Sequence, residues 1–140
     1  MDVQPYLFFQ PYLFFDGRCD EALEFYKHAV GAQVGMVMRF KDAPDQTGIN
    51  PASANKVMHA SFQVGDTMVL ASDGRNSGQP KFEGFALALN AKDEADADRL
   101  FNALVEDGQV TQPLTKTFFS PRFGMLVDKF GVHWFVIAGQ

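Results

Sequence analysis

An α+β fold of two duplicated βαβββ modules is what the sequence predicts. Three observations point there. Segments with strand and helix patterning follow the order β-α-β-β-β and then repeat it. Phe25 and Phe101 stand 76 residues apart, and Gln33-Val34 and Gln109-Val110 share that offset. The hairpin glycines Gly65 and Gly131 are only 66 apart. The ten-residue excess of the first half falls on Lys41–Asn55, where Asp, Pro, Gly, Asn and Ser already indicate a loop. One domain is expected, with modules at about 10–74 and 82–140.

Each element has its own signal. Tyr12 to Phe15 reads as a strand closed by an Asp16-Gly17 turn. A helix begins at Asp20, with acids in its first turn to suit the positive end of the helix dipole, and Gly31 stops it. Val34, Met36, Met38 and Phe40 alternate on one face of an extended segment over Gln33 to Lys41. Lys56 to Asp73 reads as a hairpin about Gly65-Asp66. Gly74 to Lys81 is a polar loop and Phe82 to Asn90 a strand. The second helix, Asp93 to Asp107, buries Ala97, Leu100, Phe101 and Leu104 and ends at Gly108. Gln109 to Thr117 is a strand, and Arg122 to Ala138 is a second hairpin turning near Phe130-Gly131.

The 140 residues, 46% of them hydrophobic, suffice for a real core and exclude global disorder. Fifteen Phe suggest large apolar walls. A net charge of −5 leaves no basic stripe for phosphates, so nucleic acid and anionic membrane are poor partners. No apolar run approaches the roughly 20 residues of a bilayer-spanning helix. The amino terminus lacks the charge and cleavage pattern of a secretory signal. The one cysteine, Cys19, cannot form an internal disulfide. A cytoplasmic protein is therefore expected. The hexapeptide Gln4–Phe9 recurs as Gln10–Phe15; the second copy is taken as the strand because it runs straight into the Asp16-Gly17 turn.

Pro11-Tyr12-Leu13-Phe14-Phe15-Asp16-Gly17, Glu21-Ala22-Leu23-Glu24-Phe25-Tyr26-Lys27 and Gly31-Ala32 together resemble the opening of PhnB-like proteins. These belong to the vicinal oxygen chelate superfamily of glyoxalase, bleomycin-resistance and extradiol dioxygenase proteins. Val57-Met58-His59-Ala60, Ser72-Asp73, Ala97-Asp98-Arg99-Leu100-Phe101, Arg122-Phe123-Gly124-Met125 and Asp128-Lys129-Phe130-Gly131-Val132 continue the match. The resemblance implies a two-module fold with curved mixed sheets around a shared cleft, and a homodimer. Some PhnB-like chains carry a demethylubiquinone methyltransferase label.

The resemblance also implies where a metal would sit. Metal-using members place His, Gln or Glu at four symmetry-related strand positions around one divalent ion. Those positions fall here near Gln10 to Tyr12, near Ala86 to Ala88, on Val69 and on Phe135. Gln10 alone offers a donor, so no cofactor is expected and a divalent metal is disfavoured. An offset site would have to use His59, His133, Asp73 or Asp128.

Strand phase sets the candidate site. With Met58, Ala60, Phe62 and Val64 beneath a helix, His59, Ser61 and Gln63 face the cleft. Ligand-binding candidates are Tyr12, Phe14, Ser61, Gln63, Val69, Arg122, Met125 and Phe135, with Trp134 beneath a helix. His59 is the catalytic candidate, since no cleft carboxylate competes for the role of general base. Arg122 offers a bidentate contact to an anion. Each has a plainer role: His59 as a satisfied strand histidine, His133 as a solvent-facing one, Arg122 as a rim partner of Asp128, and most Phe as core. Cys19 is taken as inert.

Two kinds of function follow. One is a binding module for a small, partly apolar ligand, lacking the metal tetrad. The other is an enzyme: a metal-dependent lyase, isomerase or dioxygenase with an atypical site, a metal-free acid/base catalyst using His59, or a methyltransferase as the label suggests. Against the last, no Gly-rich strand-to-helix loop is present.

Overall fold

Two four-stranded mixed sheets with one topology form the protein's framework. The computed structural model describes residues 9–74 and 81–139. The first copy of the hexapeptide, apart from Phe9, and most of the Gly74–Lys81 loop lie outside the described residues. The first sheet contains β1 (Tyr12–Phe14), β2 (Gln33–Arg39), β3 (Val57–Val64) and β4 (Thr67–Ser72) in the order β1-β4-β3-β2. The second contains β5 (Leu87–Ala91), β6 (Gln109–Thr115), β7 (Arg122–Val127) and β8 (His133–Ala138) in the order β5-β8-β7-β6. In each the first strand pairs in parallel with the last, and the other pairings are antiparallel. Helices α1 (Cys19–Val30) and α2 (Glu94–Leu104) follow β1 and β5, which completes the repeated βαβββ order.

The chain groups into two compact units, residues 9–23 with 32–74 and residues 24–31 with 81–139. The second half of α1 thus groups with the second unit, which the module boundaries drawn from sequence do not contain.

In the first unit, Leu13, Ala60, Phe62, Val69 and Ala71 are buried, and strand pairing puts them on one face. Asp16 and Gly17 both take positive φ in the turn after β1. Asp73, buried just past β4, ties the module together. Its Oδ1 accepts from the amides of Gly17 and Cys19 at 2.7 and 2.8 Å, and its Oδ2 accepts from that of Val57 at 2.8 Å. A carboxylate placed there satisfies orphan N–H groups at the start of α1 and favours the positive end of the helix.

In the second unit, α2 packs on β5, β7 and β8, burying Ala97, Leu100, Phe101 and Leu104 as its spacing predicts. Asp93 caps it, accepting from the amide of Asp96. Beneath lie Leu126, Trp134, Val136 and Ala138, with Gly124 leaving room for the Phe101 ring. Asp128 is the second buried hub. Its Oδ1 accepts from the amides of Phe130 and Val132 at 2.9 and 3.0 Å. Its Oδ2 accepts from the Tyr26 hydroxyl at 2.6 Å and the Trp134 indole N–H at 2.9 Å.

Three element boundaries differ from expectation. Register shifts in β2 break the alternation of Val34, Met36 and Met38, and Phe40 leaves the strand for a 3₁₀ turn. The strand expected from Phe82 starts only at Leu87, because Gly84 takes a positive φ and bends the chain first. Asp107, not Gly108, adopts the left-handed conformation after α2. Gly108 is needed for another reason: a Cβ there would run into the Val127 carbonyl and the Asp128 backbone. Among the described residues no helix is long and apolar enough to cross a membrane.

Candidate functional site

Each sheet has one buried face and one partly exposed face, and strand alternation decides which side chains reach the latter. On the first sheet these are Tyr12 and Phe14 from β1, His59, Ser61 and Gln63 from β3, and Leu70 from β4. Tyr12 and Phe14 are 39% and 50% exposed, and their rings stack with centroids 4.9 Å apart. The Tyr12 hydroxyl lies 2.9 Å from His59 Nδ1. Burial pushes the Tyr12 phenol above its ordinary pKa, only partly opposed by Ser72, so the phenol keeps its proton. The dyad has two proton arrangements. If the phenol donates to Nδ1, Nε2–H is left as a donor and the phenol oxygen as an acceptor. If Nδ1–H donates instead, the hydroxyl becomes the donor and Nε2 the acceptor. Either way the pair has one donor and one acceptor beyond its own hydrogen bond, and the phenol also has a side-chain hydrogen bond with Ser72.

Ser61 and Gln63 share this face but are engaged locally. Ser61 Oγ accepts from the Met36 amide at 3.2 Å, and the Gln63 amide donates to the Gly65 carbonyl at 3.0 Å. Val69 is a correction. It pairs with Phe62 and is only 4% exposed, on the buried face; counting from the hairpin glycine missed the phase by one residue. Leu70, opposite Tyr12, holds the position assigned to Val69.

On the second sheet Phe123, Met125, His133, Phe135 and Ile137 share the partly exposed face. Met125 and Phe135, both expected at the site, are cross-strand partners. Together with Phe85, Ala86 and His133 they line much of a hollow of about 340 Å³. Phe119, Phe123 and Phe135 continue as a chain of edge-to-face rings at 5.1 and 5.6 Å. Trp134 lies on the helix side as expected, nearly fully buried. Arg122 is the second correction. It lies in phase with Gly124 and Leu126, on the helix-covered face, and its Nε donates to Asp98 of α2 at 2.8 Å. Neither a ligand-facing position nor the expected partner Asp128 holds.

Of the groups considered for an offset metal, the two carboxylates are otherwise occupied. Asp73 and Asp128 spend their oxygens on the donors described above. Among the described residues no three His, Cys, Asp or Glu side chains gather as a metal-binding group. Cys19 is buried, and burial, reinforced by Asp73, pushes its thiol up to about 12.

Two βαβββ modules of identical topology define the glyoxalase-like α+β fold of the vicinal oxygen chelate superfamily. Within it, the chain belongs to the PhnB-like family whose model is described as 3-demethylubiquinone-9 3-methyltransferase, matched over residues 8–137. It is similar to protein PA1353 from Pseudomonas aeruginosa, 38% identical with a TM-score of 0.85, covering 96% of this chain and 98% of that one. A Bacillus cereus protein described as a putative 3-demethylubiquinone-9 3-methyltransferase, PhnB protein, is 26% identical with a TM-score of 0.80, over 94% and 98% of the two chains. Protein YjdN of Escherichia coli is 29% identical over 90% of this chain and 91% of its own length.

Proposed function

We propose that the protein binds a small, partly apolar ligand on the exposed sheet faces, without the superfamily's metal tetrad, and that it works as a homodimer in the cytoplasm. The observation that carries the reading is the Tyr12–His59 dyad beside the half-exposed Phe14 ring on the first sheet. An apolar shelf with one hydrogen-bonding pair is the composition a small-molecule site needs. The donor set supports the metal-free part. The strand positions carried over from metal-using members fall at Gln10 to Tyr12 and, with the strand phase corrected, Leu70 on the first sheet, and at Ala86 to Ala88 and Phe135 on the second, with the Gln10 amide and the Tyr12 phenol the only oxygen donors among them. Leu, Ala and Phe have no ligand atom to offer, and one neutral amide with a protonated phenol does not hold a divalent ion. Exposed large apolar side chains such as Phe118 and Phe119 favour self-association. Mass spectrometry of the native protein tests the reading: a bound small molecule is expected, and one that stays bound after chelation.

A second reading is favoured by the dyad itself. A tyrosine and a histidine sharing a hydrogen bond form an acid–base pair, so a metal-free enzyme using His59 as proton carrier is the alternative. His59→Ala then abolishes turnover. The methyltransferase description of the family is tested by calorimetry with S-adenosylmethionine, for which this reading expects no heat of binding.

A further inference from the structure

We infer that the hollow on the second sheet is a binding site of its own for an uncharged, compact apolar molecule carrying one hydroxyl or carbonyl group. The inference rests on the ligand-binding reading and narrows it to a place and a chemical class. The walls come from Phe85, Ala86, Met125 and Phe135, and among the described residues no Asp, Glu, Lys or Arg lines the space. A charged ligand would leave water there without a counter-charge, which costs heavily, whereas an apolar body gains from burial. At about 340 Å³ the volume lies at the lower end of the roughly 300–1,000 Å³ usual for small-molecule sites.

Among the described residues, Thr111 and His133 are the hydroxyl- and imidazole-bearing residues that line this hollow. Neither side chain has a hydrogen-bond partner among the described residues. Thr111 is there because of a β-bulge. Val110 pairs with Leu126 and Gln112 with Met125, so Thr111 is the extra residue, freed from the ladder. Bulges re-aim side chains in this way and are enriched beside binding sites. A hydroxyl and an imidazole each donate and accept, so a ligand hydroxyl or carbonyl satisfies them, and a pure hydrocarbon leaves them unpaired.

Naphthalene and 1-naphthol, which share an apolar body and differ by one hydroxyl, separate these terms. Both are titrated into the full-length protein, followed by naphthyl fluorescence and amide shift mapping. Binding of one molecule per chain is expected, with 1-naphthol about 2- to 10-fold tighter, the value of one hydrogen bond. In a Thr111→Val, His133→Phe variant that preference should vanish while naphthalene still binds. Ala86→Phe, which fills the hollow, should weaken both about tenfold or more. Should that variant not fold, shift mapping on the unaltered protein decides, with changes expected around Phe85, Met125 and Phe135. Failure of both compounds to bind, or a hydroxyl preference that survives the double variant, overturns the inference. Shifts centred on Tyr12 and His59 instead overturn it while leaving the proposed function standing. A protein that also carries no co-purifying molecule contradicts both.

Discussion

Replacing Asp128 by Asn probes the physical account where it is most exposed to error. The carboxylate is buried and accepts four hydrogen bonds, two from backbone amides and two from Tyr26 and Trp134. Asn keeps the shape but exchanges one acceptor oxygen for an NH₂ donor. If its oxygen serves the backbone pair, the NH₂ faces the Tyr26 hydroxyl and the Trp134 N–H. The hydroxyl can rotate and accept, but the indole N–H cannot, so one buried donor is orphaned and two N–H groups oppose each other. Hydrogen bonds to a charged group contribute about 1.5–3 kcal/mol each, and an orphaned buried donor costs about 1–3 kcal/mol. Relief of the carboxylate's desolvation offsets part of this. The expected loss is about 3 kcal/mol, a large share of the roughly 5–15 kcal/mol that holds an ordinary domain. Urea unfolding followed by circular dichroism measures it, provided the slope is unchanged. Tyr26→Phe should cost about 1–2 kcal/mol, and the double variant should lose less than the two singles together, since both act on one oxygen. A loss below about 1 kcal/mol for Asp128→Asn, or strict additivity, would refute the hub.

Other outcomes follow from the same contacts. Arg122→Ala should leave ligand affinity unchanged and cost less than about 1 kcal/mol, because its partner Asp98 is a half-exposed surface group; a large loss of affinity would return Arg122 to the site. Gly108→Ala should cost about 3 kcal/mol or more, since the added methyl meets backbone that cannot step aside; a stable, soluble variant contradicts the close approach. Alkaline pH should destabilise the fold through Cys19. Between the ordinary thiol value of 9.0 and about 12 the unfolded chain releases a proton that the folded chain keeps, so stability falls as pH rises through that window. Cys19→Ala should flatten this slope in urea titrations at successive pH values, and an unchanged slope rejects the assignment. Tyr12→Phe and His59→Ala should each weaken ligand binding, by about 2- to 10-fold for one hydrogen bond; calorimetry showing no change removes the dyad from the site.

Much of the fold was legible because burial has a period. The α2 stripe, the two hairpins and the doubled order all follow from apolar spacing and turn glycines. What sequence could not show was register. Val69 is placed by counting from a turn and Arg122 by its position at the start of a hairpin, and a slip of one residue exchanges the two faces of a strand. Partners far apart along the chain were equally hidden. Asp73 with Gly17, and Asp128 with Tyr26, meet only in three dimensions, although an acid following each hairpin strand was visible. Tyr12 and His59 were both picked out, but their hydrogen bond depends on the parallel pairing of β1 with β4, which no local pattern encodes. The bulge that frees Thr111 left no stronger signal than Pro113 two residues later.

Elemental analysis paired with calorimetry, using protein taken through a chelating column, weighs the metal-free binding site most directly. The molecule released from untreated protein is titrated back in. Re-binding at undiminished affinity, with divalent ions far below one per chain, is the expected result. A stoichiometric ion in the untreated protein, together with affinity that disappears on chelation and returns with that ion, would contradict it.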